Sequence, residues 1–500
     1  MSEDSTGETT EDIAFGGGVT LVGTSFGKAA KFGLNVVLGQ VLGPSYYGAY
    51  TVLYGVVSLL TDVSLFGMRD GLVRFLPKYD TGENTRDSEV LVLSLGVTLG
   101  LSSATALLLY FSAPDVAALL LDDLQVVREV RVFALAIPLY AIVLWGAAVA
   151  KGAEFTGYYT LVQHIIFPGL QLVLISVLLT VGFELWGAVY GFLLACFGGV
   201  LSVSYIVVKC TPEFQFPERF HVTKPLLSYS AVMLLVGLSA ILLSQTDKLM
   251  LAFFTDESGI VGVYTAASLL AAQLSIVLAS LNAAFAPRIS SLYTRDRTRD
   301  LSEYYRTVTR WAITITIPPF ILLVTFPEDF LVIFGDEFAS GQLPLVILSA
   351  GYMTNIATGP AGTFLRMTDG HRVEFAIVAF TVASNLLLNA VLIPKYGAVG
   401  AAIATGVSIG GSNVVRTGII RGRFEFTPYS RPVFKPLLAG GIVGILGLWI
   451  QRFYEVQGPL AASSVALPLC LVYGGIVVVL GLEPNDKEVL KSLYRRLIDG

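Results

Sequence analysis

The sequence predicts an all-α integral membrane protein of about 14 transmembrane helices, built as two parallel six-helix repeats with two further C-terminal helices. Three observations carry this expectation. Hydrophobic residues make up 54% of the 500 and charged residues only 14%, where soluble domains are about a quarter charged. Apolar runs recur from end to end at about 18 residues or more, the length a helix needs to cross a bilayer and roughly twice that of a barrel strand. Short motifs in the first part of the chain return in the second at a nearly constant offset.

Hydropathy and turn signals place spans at 16–40, 46–68, 89–112, 126–150, 158–182, 185–208, 226–254, 260–286, 307–327, 341–365, 373–394, 397–419, 433–451 and 460–482. The first is glycine-rich, carries Lys28 and Lys31, and stops at the Gly43-Pro44 turn, where the second begins. Residues 1–15 form an acidic tail without the basic stretch of a cleavable signal peptide, so the first span is expected to direct its own insertion. The expected organisation is this tail, a six-helix half at 16–222, a second at 223–425, two extra helices at 426–482, and a tail at 483–500. The three cysteines, Cys196, Cys210 and Cys470, show neither disulfide nor metal-ligand spacing.

Charge sets the orientation. Alternate connections hold 25 of the 32 basic residues, including Arg69, Arg74, Lys78 and Arg86 in one, Arg288 through Arg310 in another, and Lys487 through Arg496 in the tail. The opposite connections hold only Lys395 and Arg452, with Arg128 and Arg131 at a helix start. By the positive-inside rule both termini are cytoplasmic and the chain sits in the cell membrane. Outer connections are short, and 328–337 is acidic, so no large external domain houses a catalytic site.

The repeat supports a carrier. Gly48-Ala49-Tyr50-Thr51 returns as Gly262-Val263-Tyr264-Thr265 at offset 214, and Gly187-Ala188-Val189 as Gly397-Ala398-Val399 at offset 210. Phe75-Leu76-Pro77-Lys78 is echoed by Phe285-Ala286-Pro287-Arg288, and the turn with Lys151 and Gly157 by that with Arg366 and Gly370. Both halves start on the same side, the parallel arrangement of transporters that rock about a central cavity.

Polar residues inside spans mark the candidate site. Lys28 and Lys31, three apart, share a helix face, about halfway along a span, where a cation costs roughly 2.5–3.5 kcal/mol on insertion scales. An anionic ligand, a counter-ion or a water-filled pathway is the compensation expected. Lys248 is the corresponding cation of the seventh span, and Asp247 beside it is a second candidate cavity counter-ion, although adjacent helix residues point about 100° apart. Asp62 is a candidate counter-ion for Lys28 or Lys31, and Arg69, Arg74, Lys151 and Arg366 form a basic cytoplasmic mouth, if they are more than ordinary positive-inside anchors. His164 and Glu154 are candidate proton carriers. Asn35, Gln163, Gln171, Asn385 and Asn389 bring hydrogen-bonding groups that suit either a sugar-compatible cavity or helix contacts. The sequence has no phosphate loop, HExxH motif or Cys/His metal cluster, so no catalytic residue, metal or cofactor is assigned.

The basic first span running into VLGQVLGPSYYGAYT, together with LLTDVSLFGMRDGLVRFLPKY, SQTDKLMLAFFTDESGIVGVYTAA and NLLLNAVLIPKYGAVGAAIAT, resembles the polysaccharide and oligosaccharide flippases of the multidrug/oligosaccharidyl-lipid/polysaccharide exporter superfamily. That resemblance covers nearly the whole chain. It implies movement of a polyprenyl- or dolichyl-(pyro)phosphate-linked oligosaccharide to the outer face by alternating access, for surface polysaccharide or glycoprotein assembly. Lys28, Lys31 and Lys248 would hold the lipid phosphate. Glycan-assembly glycosyltransferases are the partners implied, beside the bilayer, and nucleic acid is not. With 21 Arg to 11 Lys and more acidic than basic residues, an archaeal, salt-adapted member fits. A cation-coupled multidrug exporter of the same superfamily is the alternative, but it would favour acidic over basic groups. A membrane polymerase or ligase would need the external domain that is missing.

Overall fold

The structure, a computed structural model, describes residues 4–79, 84–121, 126–211, 214–217, 222–255, 257–453, 458–481, 483 and 486. Among them every regular element is a helix. In order these are α1 (Asp4–Ser64), α2 (Met68–Tyr79), α3 (Asn84–Phe111), α4 (Ala113–Leu120), α5 (Val127–Gly152), α6 (Thr156–Thr160), a π-helical turn (Leu161–Ile166), α7 (Phe167–Thr180), α8 (Glu184–Cys210) and α9 (Thr223–Phe254). There follow α10 (Ser258–Gln273), α11 (Ser275–Thr294), α12 (Thr298–Thr325), α13 (Pro327–Leu331), α14 (Gln342–Ala357), α15 (Ala361–Met367), α16 (His371–Phe424), α17 (Phe434–Phe453) and α18 (Gly458–Val479). The charged positions Arg219, Lys487, Lys491, Arg495 and Arg496 lie outside the described residues, and so do the side chains of Lys78 and Arg86.

The chain is an all-helical, multi-pass membrane protein. Eleven helices among the described residues are long and apolar enough to cross a bilayer, against the fourteen spans expected. Two of the eleven, Val22–Pro77 and His371–Phe424, run 56 and 54 residues. At about 1.5 Å per residue each would measure roughly 80 Å, against a hydrocarbon layer of about 30 Å. The second leaves helical geometry at Gly397 (φ 53°, ψ −131°) and the first at Gly43 (φ 66°, ψ 177°) and again at Phe66–Gly67 (φ 48° and 69°), where α1 gives way to α2. At Gly43 the cause is local. Pro44 excludes α geometry from the residue before it, and only glycine takes this positive φ readily. The expected span 341–365 is divided between α14 and α15 at Gly359 (φ 64°), and 260–286 is shared by α10 and α11, so neither registers as one long helix.

Two compact units form, Met1–Gly262 and Val263–Gly500. In the first, α9, which opens the second repeat by sequence, packs against α1 and α2. Gly67 fixes that contact. Its φ is +69°, and an added Cβ would lie 2.1 Å from the Ser230 carbonyl oxygen. Leu65, Met68, Leu72, Val90, Val149 and Leu226 form the core around this turn, where the Trp145 indole donates to Ser94 Oγ at 2.9 Å. A second layer of rings joins α5 to α8, with Phe133 and Phe192 stacked at 5.3 Å and 6°. In the second unit α12 packs against α14 and α17, and buried Tyr305 donates to the Thr358 carbonyl at 2.7 Å.

Candidate functional site

Lys28 and Lys31 occupy the first part of α1, and two glycines decide what that helix meets. A Cβ on Gly23 would lie 2.5 Å from Thr160 Cγ2, and one on Gly27 would lie 2.6 Å from the His164 carbonyl oxygen. Thr20 and Thr160 hydroxyls meet at 3.4 Å. The helix bearing the lysines is thus seated, backbone against backbone, on the π turn. The turn itself has a chemical cause close by. Pro168 has no N–H to offer the carbonyl of residue 164, where an α-helix would send it, and the Phe167 N–H reaches back five residues to the Val162 carbonyl.

His164 is half-buried in this turn, with Lys31 and Lys28 both within electrostatic reach of its ring. Tyr159 meets that ring edge-on at 5.9 Å and 87°, and the Lys151 ammonium stands 5.3 Å over the Tyr159 ring. The lysine side chains are exposed on the unit. Among the described residues no ion pair engages Lys28, Lys31 or Lys151. Three of the residues chosen from sequence are therefore brought together as one positive cluster, linked through Tyr159 and His164. Glu154 lies exposed in the turn before α6 at φ 65°.

Asp62 does not serve as counter-ion to the lysines. Its Oδ1 lies 3.5 Å from Arg69 Nη1, because the turn after Ser64 folds α2 back and brings the arginine to the acid. The pair lines a cavity of about 210 Å³ with Asp70, Met233 and Leu234. Arg74 caps the Tyr229 ring of α9 at 4.3 Å. On α9 itself, Asp247 is buried (7% exposed), and its charge acts on neighbouring Lys248. One turn of the same helix, Gln245 and Leu249, faces Gly55 of α1, where an added Cβ would lie 3.6–3.7 Å from their side chains.

Arg366 belongs to the second unit and to a different arrangement. Its Nη1 lies 3.6 Å from Glu374 Oε1 and its Nη2 donates to Thr363 at 2.9 Å. Glu374, 4% exposed, also receives a two-pronged pair of 2.9 Å bonds from Arg416, which in turn donates to Ser412 and Asn413. Sequence reasoning missed Glu374, whose only signal is its place in the first turn of a span. The amides serve as ties between helices. Tyr47 donates to Asn35 at 2.9 Å across the Gly43 break, and Asn385 donates to Thr405 at 3.2 Å. Also unforeseen was a clamp on the C-terminal segment. Arg310 and Trp311 donate to the Asp486 carboxylate at 2.8 Å each. Burial pushes this carboxyl up, but the bonds from Arg310 and Trp311 outweigh it and hold Asp486 below the usual carboxylate range.

Residues 13–293, more than half the chain, match the family model described as polysaccharide biosynthesis protein. The chain belongs to the polysaccharide biosynthesis protein family. Among its relatives is a Haloferax volcanii protein named probable low-salt glycan biosynthesis flippase Agl15, 20% identical over 492 residues and 96% of each chain. Another from that organism, named probable flippase AglR, is 25% identical over 256 residues, 50% of this chain and 52% of AglR. A solved structure of the lipid II flippase MurJ in an inward closed conformation shares the fold, with TM-score 0.74, 13% identity, and coverage of 92% of this chain and 98% of that one.

Proposed function

We propose that this family member is a flippase that moves a polyprenyl- or dolichyl-(pyro)phosphate-linked oligosaccharide from the cytoplasmic to the outer face of the cell membrane by alternating access. Both termini are then cytoplasmic, and glycosyltransferases that assemble and consume the glycan are its working partners. The carrying observation is the cluster of Lys28, Lys31 and Lys151, which holds no carboxylate partner among the described residues. Cations left uncompensated in an apolar helix are costly, and a phosphate would remove that cost while being desolvated itself. The names of the Haloferax volcanii relatives support the same reading. A cation-coupled multidrug exporter fits less well, since the uncompensated charge is positive. Chemistry is not part of the role: the substrate leaves the protein unchanged, on the other side.

The test is deletion of the gene in its host, complemented with wild-type protein or with Lys28→Ala plus Lys31→Ala. Mass spectrometry of lipid-linked sugar and of a surface glycoprotein reads the outcome. Accumulated lipid-linked glycan and a lost surface glycan are expected for the double variant at normal protein level. Normal delivery by that variant would remove the basis of the proposal.

A further inference from the structure

We propose that the π turn at Leu161–Ile166 is the second wall of the phosphate site, with His164 as a direct hydrogen-bond donor to the lipid-linked phosphate beside Lys28 and Lys31. This rests on the flippase reading and adds to it a binding residue and the element that presents it. Three observations on the protein point this way. First, the ring nitrogens of His164 have no hydrogen-bond partner among the described residues, although its ring is half-buried and held edge-on by Tyr159. A histidine that merely fills a core usually satisfies its N–H.

Second, the geometry is fixed in advance. The Gly27 backbone rests on the His164 carbonyl, so Lys28 and Lys31, one and four residues further along α1, keep a set register to the ring. Pre-setting of this kind is what a binding site for a charged group needs, because the donors are then not reorganised on binding. Helices with π turns carry them disproportionately at functional positions.

Third, the repeat supplies a contrast. The turn with Lys151 and Gly157 is matched by that with Arg366 and Gly370. In the second unit Glu374, in the first turn of the helix that follows, pairs with both Arg366 and Arg416. In the first unit the stretch that follows, 156–180, carries no carboxylate, and the imidazole of His164 cannot neutralise the lysines beside it. One half answers its basic turn with a carboxylate of its own, and the other leaves that role to a ligand. A phosphate oxygen plays the part of the Glu374 oxygens, and His164 donates to it.

Binding to the detergent-solubilised full chain tests this, with geranylgeranyl phosphate, geranylgeranyl diphosphate and inorganic phosphate as probes. His164→Leu should weaken both lipid phosphates about tenfold, the effect of one hydrogen bond to a charged group. His164→Gln, which keeps a neutral N–H, should stay within about threefold of wild type, and both variants should melt like wild type without ligand. If His164→Leu binds as wild type while Lys28→Ala plus Lys31→Ala loses binding, His164 is not a contact and the flippase site stands without it. If the lysine pair variant binds as wild type, the phosphate site itself is overturned. Equal affinity for inorganic phosphate and the lipid phosphates would overturn the lipid source and leave a free-anion site. If His164→Leu melts early, His164→Phe, which keeps a ring but has no N–H, takes its place: the same loss of about tenfold supports the contact, and binding as wild type overturns it.

Discussion

Glu374 is the residue on which most charge depends. It answers two arginines from a 4% exposed position, so Glu374→Ala leaves them unpaired, and removing one partner of a buried ion pair typically costs about 3–5 kcal/mol. A melting temperature lowered by many degrees, with Arg366→Ala milder because that arginine is half-exposed, is the expected thermal denaturation result. Gly67→Ala should be comparably severe. It combines a left-handed backbone with a carbonyl 2.1 Å from the new carbon, and overpacking of this kind costs about 1–3 kcal/mol before the backbone strain is added. Asp486 yields a pH dependence. Its folded-state carboxyl lies below the ordinary value, so the clamp is at full strength above a pH of about 4, where the unfolded carboxyl titrates. It weakens as pH falls through the lower folded-state value. Trp311 emission, isolated by difference from Trp311→Phe, should report that release below about pH 4; a midpoint near pH 6 would exclude Asp486 as the group responsible. Of these residues, the lysines of α1 were visible in sequence because charge is rare inside apolar runs. Glu374 and Asp486 were not, because Arg366 reaches Glu374 only across the turn before α16 and the other partners are 42 and 176 residues away, where nothing local announces the pair.

At the level of elements, the breaks at Gly43 and Gly397 were legible, since glycine next to or near proline is a local instruction. The π turn was not. LVQHII has the composition of any buried helix, and only Pro168 with the close approach of Gly27 explains why the helix widens there. Pro168→Ala returns the missing N–H. The turn is then expected to relax towards regular α geometry, a one-residue change of register that swings His164 by roughly 100° about the helix axis. Unchanged far-ultraviolet circular dichroism together with weaker geranylgeranyl phosphate binding is the anticipated result, and unchanged binding would show that the turn does not depend on its proline. The expected pairing of Asp62 with Lys28 or Lys31 failed for a related reason. Sequence distance to Arg69 is short, but only the reversal at Leu65–Gly67 makes them neighbours.

For the molecule as a whole, apolar length carried most of the fold that could be read. It is summed over many residues and so survives local surprises. The two-unit division was less accessible, because α9 begins the second repeat in sequence and yet packs with the first unit, an association that hydropathy does not encode. The orientation expected from loop charge is open to direct measurement. Cysteines introduced at 329–336 should react with an impermeant maleimide on intact cells, and those at 295–299 only after permeabilisation. The opposite pattern would invert the protein in the membrane and with it the direction of transport proposed.

The seating of α1 on the π turn also has a consequence for how the chain is made. A helix with two mid-span lysines partitions poorly into lipid on its own, and the surface that accepts it, at Thr160 and His164, is synthesised 140 residues later. At about 5–20 residues per second that is roughly 7–28 s of translation. Through that interval the nascent first helix has to be sheltered by the insertion machinery, so the ribosome-bound chain, truncated before residue 160, should still crosslink from Lys28 to the translocon.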